Sequence, residues 1–347
     1  MDTARIRTWR RISVLAGIAL AASVTAAAQE SEAEQALVAS GERPDLILMH
    51  TGDVIGYLED CGCKVNPAGG LARRAWVVKQ VKNRFPGVPL LLLDSGNFSD
   101  NPTPQGDLRT KTLLTAMEQL EYRVVNVGER DIRLGYDEFR ARTEPGRFHF
   151  VSANIVKQGS GEPIFEPRAV LELPAAPAAG AAARTVIGVT GVARFNPMFL
   201  KAGPDGSNMV FANHVDSVRR EVAALRAENV DLVVVLAALH LNDARRIAEE
   251  VPGIDFILGA YGGLFVDERV GPTKVLYCGN RGQRLAETRI FLRPGDDRSR
   301  RVEPAVRMHF LTADYPESTD MRRFLDLQPS AVLGSEDEAA AAAGSRP

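Results

Sequence analysis

The sequence predicts an α/β fold in which layered β-sheets are flanked by helices within a single domain. From about residue 44 the chain alternates between short β-rich runs and helical patterns, and polar side chains stand at the ends of several predicted strands. The 347 residues with 45% apolar content suffice for one large core or two modest ones. The net charge of −2 includes no basic or acidic block, so charge gives no reason to expect a nucleic acid or an anionic membrane as partner.

The first predicted strand is the unbroken apolar run Asp45–His50, which is typical of a strand buried on both faces. Apolar residues at helical spacing over Gly70–Phe85, followed by a strand at Pro89–Asp94, then predict a βαβ unit. The alternation continues and favours layered sheets. It predicts helices at Leu108–Leu120, Tyr136–Arg142 and Ser217–Asn229, and strands at Arg123–Val127, Phe148–Ala153, Ala169–Leu173, Arg184–Thr190, Leu232–Ala237 and Lys274–Tyr277.

The amino-terminal segment is typical of a secretory signal peptide, predicted at residues 1–28. Several arginines precede an apolar run that has only about half of the roughly 20 residues needed to span a bilayer. We therefore expect an exported protein without a membrane span in the mature chain, periplasmic if the source is Gram-negative. The rest of the chain is predicted to contain a flexible segment at 29–43, one domain at 44–312, a carboxyl-terminal extension at 313–329 and a disordered tail at 330–347.

An Ala- and Pro-rich stretch at residues 174–183 interrupts the domain. We interpret it as a surface loop, because both of its flanks resemble adjacent strands of one sheet. A domain linker is the alternative interpretation.

Polar residues follow five of the predicted strands, where open α/β sheets bind ligands. In order and spacing, from about Leu46 to about Glu287, these segments resemble the 5′-nucleotidase and UDP-sugar hydrolase branch of the exported calcineurin-like metallophosphoesterases. The motifs that carry the resemblance are His50-Thr51-Gly52-Asp53-Val54-Ile55-Gly56, Gly69-Gly70-Leu71-Ala72-Arg73, Leu93-Asp94-Ser95-Gly96-Asn97, Gly128-Glu129-Arg130-Asp131-Ile132-Arg133-Leu134-Gly135, Leu239-His240-Leu241-Asn242 and Gly259-Ala260-Tyr261-Gly262-Gly263.

The resemblance implies a metallophosphoesterase-type layered β-sandwich and a site for two metal ions, but most ligand positions have changed. Asp53 and His240 remain. The resembled motifs have histidine, aspartate or asparagine at positions that are occupied here by Ile55, Asn97, Glu129, Arg130, Tyr261 and Gly263. Isoleucine and glycine offer a metal no side-chain donor atom. We therefore expect a degenerate metal site.

The remaining polar residues allow two interpretations. Asp53, Asn97, Glu129 and His240 could hold one divalent ion such as manganese, iron or zinc, which would support a residual phosphoester or nucleotide hydrolase. Alternatively, Asp53 and His240 are hydrogen-bonded residues at strand ends that serve packing.

All three cysteines are expected near the same site. Cys61 and Cys63 flank Gly62 in the loop after the first strand, and Cys278 ends a predicted strand. A bridge between residues two apart departs from relaxed disulfide geometry and is easier to reduce, which favours thiol redox chemistry. The helix start near Gly70 and the side chain of Lys64 would stabilise a thiolate.

Two other interpretations of the cysteines stay open. One is a structural bridge from Cys61 or Cys63 to Cys278. The other is a thiolate site of Cys61, Cys63 and Cys278 for copper or zinc.

We therefore expect an exported protein with a thiol-based redox or soft-metal role. A residual metal-dependent hydrolase and a non-catalytic binding module are the alternatives. The partner would be a small molecule, a metal ion or a redox partner protein. Arg73, near a helix start, and Arg130 are candidate anion-binding residues.

Overall fold

The computed structural model describes residues 32, 35–63, 66–143, 147–174, 184–194, 209–294, 300–329 and 332. The predicted signal peptide, nearly all of the predicted tail, Lys64 and residues 175–183 of the predicted loop lie outside the described residues. Within the segment predicted to be flexible, residues 35–40 are helical. Among the described helices, none is both long enough and apolar enough to cross a membrane.

The strands alternate with helices along most of the described chain. They are β1 (Leu46–Thr51), β2 (Leu90–Asp94), β3 (Tyr122–Asn126), β4 (His149–Val151), β5 (Ile155–Lys157), β6 (Arg168–Pro174), β7 (Arg184–Ala193), β8 (Met209–Phe211), β9 (Leu232–Ala238), β10 (Phe256–Gly259), β11 (Phe265–Val270), β12 (Thr273–Cys278), β13 (Arg284–Pro294) and β14 (Arg300–Phe310). The helices are α1 (Leu71–Arg84), α2 (Pro104–Gln119), α3 (Tyr136–Thr143), α4 (His214–Ala227), α5 (Leu241–Glu250) and α6 (Thr319–Asp326).

Two helices begin earlier than their apolar pattern predicts. Helix α2 begins four residues before Leu108, because Thr103 caps it by accepting a hydrogen bond from the Gly106 N–H at 3.0 Å. Helix α4 begins at His214 because the Asn213 side chain accepts from the Asp216 N–H at 3.1 Å. The capping residues were visible in the sequence and give better helix starts than the first apolar residue does.

Two mixed sheets form the layers of the fold. Their strand orders are β14–β13–β1–β2–β3–β4 and β11–β12–β10–β9–β7–β6. The central strands β1, β2 and β3 are parallel, as are β7, β9, β10 and β12. Strands β6 and β7 are antiparallel neighbours, which confirms that the flanks of the Ala/Pro-rich stretch belong to one sheet.

The inner faces of both sheets share one buried apolar cluster, which includes Leu48, Leu93, Val234 and Leu258. Helices α1 and α2 pack on the outer face of the first sheet, and α4 and α5 pack on the second. The predicted fold class, layered sheets flanked by helices, is therefore confirmed. This packing aligns the carboxyl ends of the parallel strands of both sheets along one edge of the molecule.

Candidate functional site

The two sheets are joined directly at this edge by side chains that cross between strand ends. Ser95, just after β2, donates from Oγ to the Leu258 carbonyl of β10 at 2.8 Å. Asn126, at the end of β3, donates from Nδ2 to the carbonyls of Ser95 and Val192 at 3.0 and 2.9 Å. We call the residues that follow β1, β2, β3, β7, β9 and β10 here the strand-end site.

The loops after β1 and β2 are bound to each other through their backbones. The Asp53 N–H donates to the Gly96 carbonyl at 2.8 Å, and the Ile55 N–H donates to the Asn97 carbonyl at 3.1 Å. Asp53, Ile55 and Asn97 all have positive φ angles, between 51° and 57°. Such angles are costly for a β-branched residue, so the backbone at Ile55 is strained.

Asp53 is buried inside this double loop. Burial raises the pKa of its carboxyl to about 6, although the Arg130 charge and hydrogen bonds from Gly262 and Asn97 oppose the shift. The Asn97 amide oxygen in turn accepts a hydrogen bond from the Arg130 N–H at 3.1 Å. Asp53, Asn97 and Arg130 thus belong to one group of contacts.

A second group of contacts connects Glu129 to the other sheet. The Tyr261 hydroxyl donates to Glu129 Oε1 at 3.2 Å and accepts from Arg194 Nη1 at 2.6 Å. The His240 ring packs edge-on against Tyr261, with 4.3 Å between ring centroids. Burial raises the pKa of Glu129, against the opposing effects of the Arg194 charge and the Tyr261 hydrogen bond, and its Oε2 atom is buried without a hydrogen-bond partner.

Asp131 holds the loop after β2 against the loop after β3. Its carboxylate accepts three backbone N–H groups, those of Asn97, Ser99 and Gly128, each at 2.8 Å. Burial nevertheless raises the pKa of Asp131 to about 6. Asp131, Arg194 and Tyr261 are site residues to which the sequence interpretation gave no role. For Asp131 a signal was present, because it lies in the same motif as Glu129.

The cysteine loop lies between β1 and helix α1, and its backbone contacts the residues that lead into the helix. Cys61 and Cys63 form a disulfide bridge, and Cys61 donates its N–H to the Ala68 carbonyl at 2.9 Å. Cys61 is buried, Gly62 is exposed and Cys63 is half-buried. The Gln283 side-chain amide approaches Cys63 Sγ at 4.0 Å.

Cys278 is a free thiol buried at the end of β12. Burial and, to a smaller extent, the Asp94 charge raise the pKa of this thiol to about 12. A structural bridge from Cys278 to Cys61 or Cys63 is therefore absent from the described structure, in which those two cysteines pair with each other.

The loop between β12 and β13 connects the cysteine loop with the strand-end site. Its Arg281 N–H donates to the Asp53 carbonyl at 2.8 Å, and Gln283 contacts Cys63. Arg73, predicted to bind an anion, lies 3.5 Å from the Asp60 carboxylate and 3.8 Å from that of Glu317. Its charge is already balanced.

The sequence is similar to part of several known nucleotidases. No protein-family model matches the sequence. Human 5′-nucleotidase is 26% identical over 249 residues, which cover 68% of this chain and 41% of the human protein. A Yersinia enterocolitica protein named 2′,3′-cyclic-nucleotide 2′-phosphodiesterase/3′-nucleotidase is 24% identical over 235 residues, covering 62% of this chain and 36% of its own length. The matched region is thus less than half of each of these relatives.

Solved structures share the arrangement of the sheets. The calcineurin-like phosphoesterase YfkN from Bacillus subtilis superposes with a TM-score of 0.69 at 19% identity, over 82% of this chain and 96% of that one. A 5′-nucleotidase precursor from Thermus thermophilus gives a TM-score of 0.64 at 21% identity, over 81% and 57% of the two chains. The chain has the calcineurin-like metallophosphoesterase fold. The superfamily that the motifs predicted is confirmed.

The side chains at the strand-end site of this metallophosphoesterase-fold protein contact one another and lie near arginines. Among the described residues, no three His, Cys, Asp or Glu side chains come together as a set that could hold a metal ion. Asn97 Oδ1 accepts from the Arg130 backbone, and Glu129 Oε1 accepts from Tyr261. Positive charge near Asp53 and Glu129 comes from Arg130 and Arg194.

The structure therefore does not assemble either predicted metal site. Asp53, Asn97, Glu129 and His240 lie around one edge, but they do not form a ligand set in the described residues. In the alternative thiolate site, two of the three sulfur atoms are bonded to each other. Both metal assignments remain predictions from sequence.

Proposed function

We propose that this protein is an exported thiol–disulfide exchange protein built on a metallophosphoesterase fold, with Cys61 and Cys63 as the exchanging pair. The observation that carries the proposal is the bridge between two cysteines that are separated by a single residue in a loop beside the strand-end site. Closing such a small ring departs from relaxed disulfide geometry, and strained bridges have more oxidising potentials than structural ones. The pair is suited to exchange rather than to stabilising the fold.

The burial of the two sulfur-bearing residues sets the direction of attack. Cys63 is half-buried, whereas Cys61 is 5% exposed, so an incoming thiolate meets Cys63 first. Cys61 then becomes the leaving group. Its backbone N–H donates to the carbonyl of Ala68, three residues before α1 begins, and a thiolate close to the amino end of a helix is favoured by the helix dipole.

The exchange proceeds in two displacement steps. A thiolate of a partner dithiol attacks Cys63 Sγ, the Cys61–Cys63 bond breaks, and the bonding electron pair leaves on Cys61 Sγ, which takes up a proton. The second partner thiolate attacks the partner sulfur of the mixed disulfide and releases Cys63 as a thiolate, which is also protonated. Two electrons and two protons pass from the partner dithiol to the pair, and the reverse sequence oxidises a partner.

The alternatives have weaker support. A residual hydrolase needs a metal site, which the described residues do not assemble. The 5′-nucleotidase activities named for the relatives belong to proteins of which the matched region is about two-fifths. Metal-dependent turnover of a chromogenic phosphodiester that is lost in Asp53→Ala or His240→Ala would instead support the hydrolase.

The decisive experiment is a redox titration of the mature protein in glutathione buffers, with thiols counted by alkylation and mass spectrometry. We expect two additional thiols per chain to appear at a potential above about −300 mV, the range of labile bridges. Cys61→Ser and Cys63→Ser should abolish this step. Cys278→Ser is the matched control, and its reducible pair should be unchanged.

Two results would overturn the proposal. A bridge that stays oxidised well below about −300 mV would be structural. Stoichiometric copper or zinc in anaerobically purified protein, lost in Cys61→Ser, would identify a soft-metal site instead.

A further inference from the structure

Two guanidinium groups converge on one uncharged oxygen atom beside the strand-end site. Arg130 and Arg133 both follow β3. Nη2 of Arg130 lies 3.4 Å from Asn101 Oδ1, and Nη1 and Nη2 of Arg133 lie 3.4 and 3.3 Å from the same oxygen. These contacts are long for hydrogen bonds between a charged donor and an acceptor, which are usually below about 3 Å.

The carboxylates nearest in sequence are engaged elsewhere. Asp100 is paired with Arg109, and Asp107 is paired with Arg142 at 2.6 Å. Both oxygens of Asp131 accept backbone N–H groups. In the part of the chain that the structure describes, neither Arg130 nor Arg133 is ion-paired with a carboxylate.

Arg133 is held in this position by the protein rather than left in solvent. Its Nη2 donates to the Asp100 carbonyl at 2.7 Å, and its Nε is buried without a hydrogen-bond partner. Burial, with repulsion from Arg130 and Arg142, lowers the pKa of Arg133 to about 10, although the nearby charges of Asp100 and Asp131 oppose the shift. A fixed guanidinium with an unused donor and no direct ion pair is an arrangement that can accept an anion.

We propose that Arg130 and Arg133 form a metal-independent binding site for a tetrahedral oxyanion of the phosphate or sulfate class. Each guanidinium presents planar N–H groups that match two oxygens of such an anion, and Asn101 marks the point where the two groups meet. The ligand supplies the direct ion pair that no described carboxylate makes with either guanidinium. The site uses neither Cys61 nor Cys63, so it stands independently of thiol exchange.

The test is isothermal titration of the full mature protein with inorganic phosphate, sulfate and methyl phosphate, in the presence of EDTA and at constant ionic strength. We expect saturable binding of at least one of these anions, weakened at least tenfold in Arg133→Gln and in Arg130→Gln. Arg133→Lys keeps the charge but loses the planar donor pair, so its affinity should fall between those of wild type and Arg133→Gln. Tighter binding of methyl phosphate than of phosphate would identify esters as the ligand, and the opposite order would identify free anions.

The matched control is Lys111→Gln, which removes the same charge from an exposed position of α2 and should bind as wild type does. Thermal melts of each variant without ligand show whether it is folded, and Arg130→Gln provides a second measurement if Arg133→Gln is unstable. The proposal fails if wild type binds none of the three anions. It also fails if folded Arg130→Gln binds them as tightly as wild type, or if binding requires a divalent ion.

Discussion

Two buried clusters of charged residues differ in how completely their charges are paired. On β13 and β14, Glu287 accepts from Arg289 Nε at 2.6 Å and pairs with His309 Nε2 at 2.7 Å. We call these three residues the Glu287 cluster. Burial alone would raise the pKa of Glu287, but the His309 hydrogen bond and the Arg289 charge outweigh burial and lower it.

At the strand-end site, burial outweighs the nearby positive charges in its effect on the carboxyl pKa values. Burial raises the pKa of Asp53 and Glu129 despite nearby arginines, and Glu129 Oε2 is buried without a partner. Arg130 and Arg133 have no carboxylate partner among the described residues. The charges of the Glu287 cluster are thus paired with one another, whereas those of the strand-end site are only partly paired among the described residues. Groups with raised pKa values and incomplete pairing are candidates for a ligand site.

The largest effect should come from breaking the Glu287 cluster. Glu287→Gln leaves the Arg289 guanidinium buried without its counter-charge, and we expect a loss of about 3–5 kcal/mol in the free energy of unfolding. Urea denaturation at pH 7.5 measures it. Glu303→Gln, which breaks the partly exposed pair with Arg293, is the control and should cost at most about 1 kcal/mol.

The double variant Glu287→Leu/Arg289→Met distinguishes charge pairing from packing as the source of this stability. Removing both the carboxylate and the guanidinium leaves no buried arginine without its counter-charge, so much of the lost stability should return, less the contribution of the His309 hydrogen bond to Glu287. A double variant as unstable as Glu287→Gln would show that packing, rather than charge pairing, governs this cluster.

The next effect concerns His50, at the base of the strand-end site. Burial lowers its pKa from 6.5 to about 3, and its Nε2 has no hydrogen-bond partner. Below pH 6.5 the His50 imidazole therefore binds a proton in the unfolded chain but stays neutral in the folded chain. Stability is lost as pH falls through the window from 6.5 to about 3. At pH 5 the resulting loss in the free energy of unfolding is about 2 kcal/mol.

Between pH 7.5 and pH 5, we expect the free energy of unfolding to fall by about 2 kcal/mol less in His50→Gln than in wild type. Denaturant unfolding at both pH values measures the difference, and His149→Gln, at a partly exposed histidine, is the control. Equal pH dependence in wild type and His50→Gln would contradict a neutral buried imidazole.

The smallest effect tests backbone strain at Ile55, whose φ angle is 56°. Ile55→Asn and Ile55→Ala both remove the branched side chain, but asparagine tolerates the left-handed region better than alanine does. We expect the asparagine variant to be more stable than the alanine variant by about 1 kcal/mol. Thermal unfolding of the pair measures this difference, and equal stability would show that the loop relaxes.

Parts of the fold could be predicted because local patterns determine them. Strands β1, β2 and β9 are unbroken apolar runs, and the buried positions of α1 recur at helical spacing. The hairpin β13–β14 was not predicted from the sequence, since charged residues occur throughout both strands. Helix α5, which follows His240, was missed for a similar reason, because it buries few residues.

The sequence by itself determined the alternation of strands and helices, the polar residues at several strand ends, the superfamily of the fold and the presence of a closely spaced cysteine pair. It could not determine the partners of those polar residues. Tyr261 contacts Glu129 from 132 positions away in the chain. Only tertiary packing decided that Cys278 stays buried and outside the bridge, and that Arg130 and Arg133 face a neutral oxygen. The physical reason is that pairing and burial depend on which loops two separate sheets bring to one edge, and no local pattern encodes that arrangement.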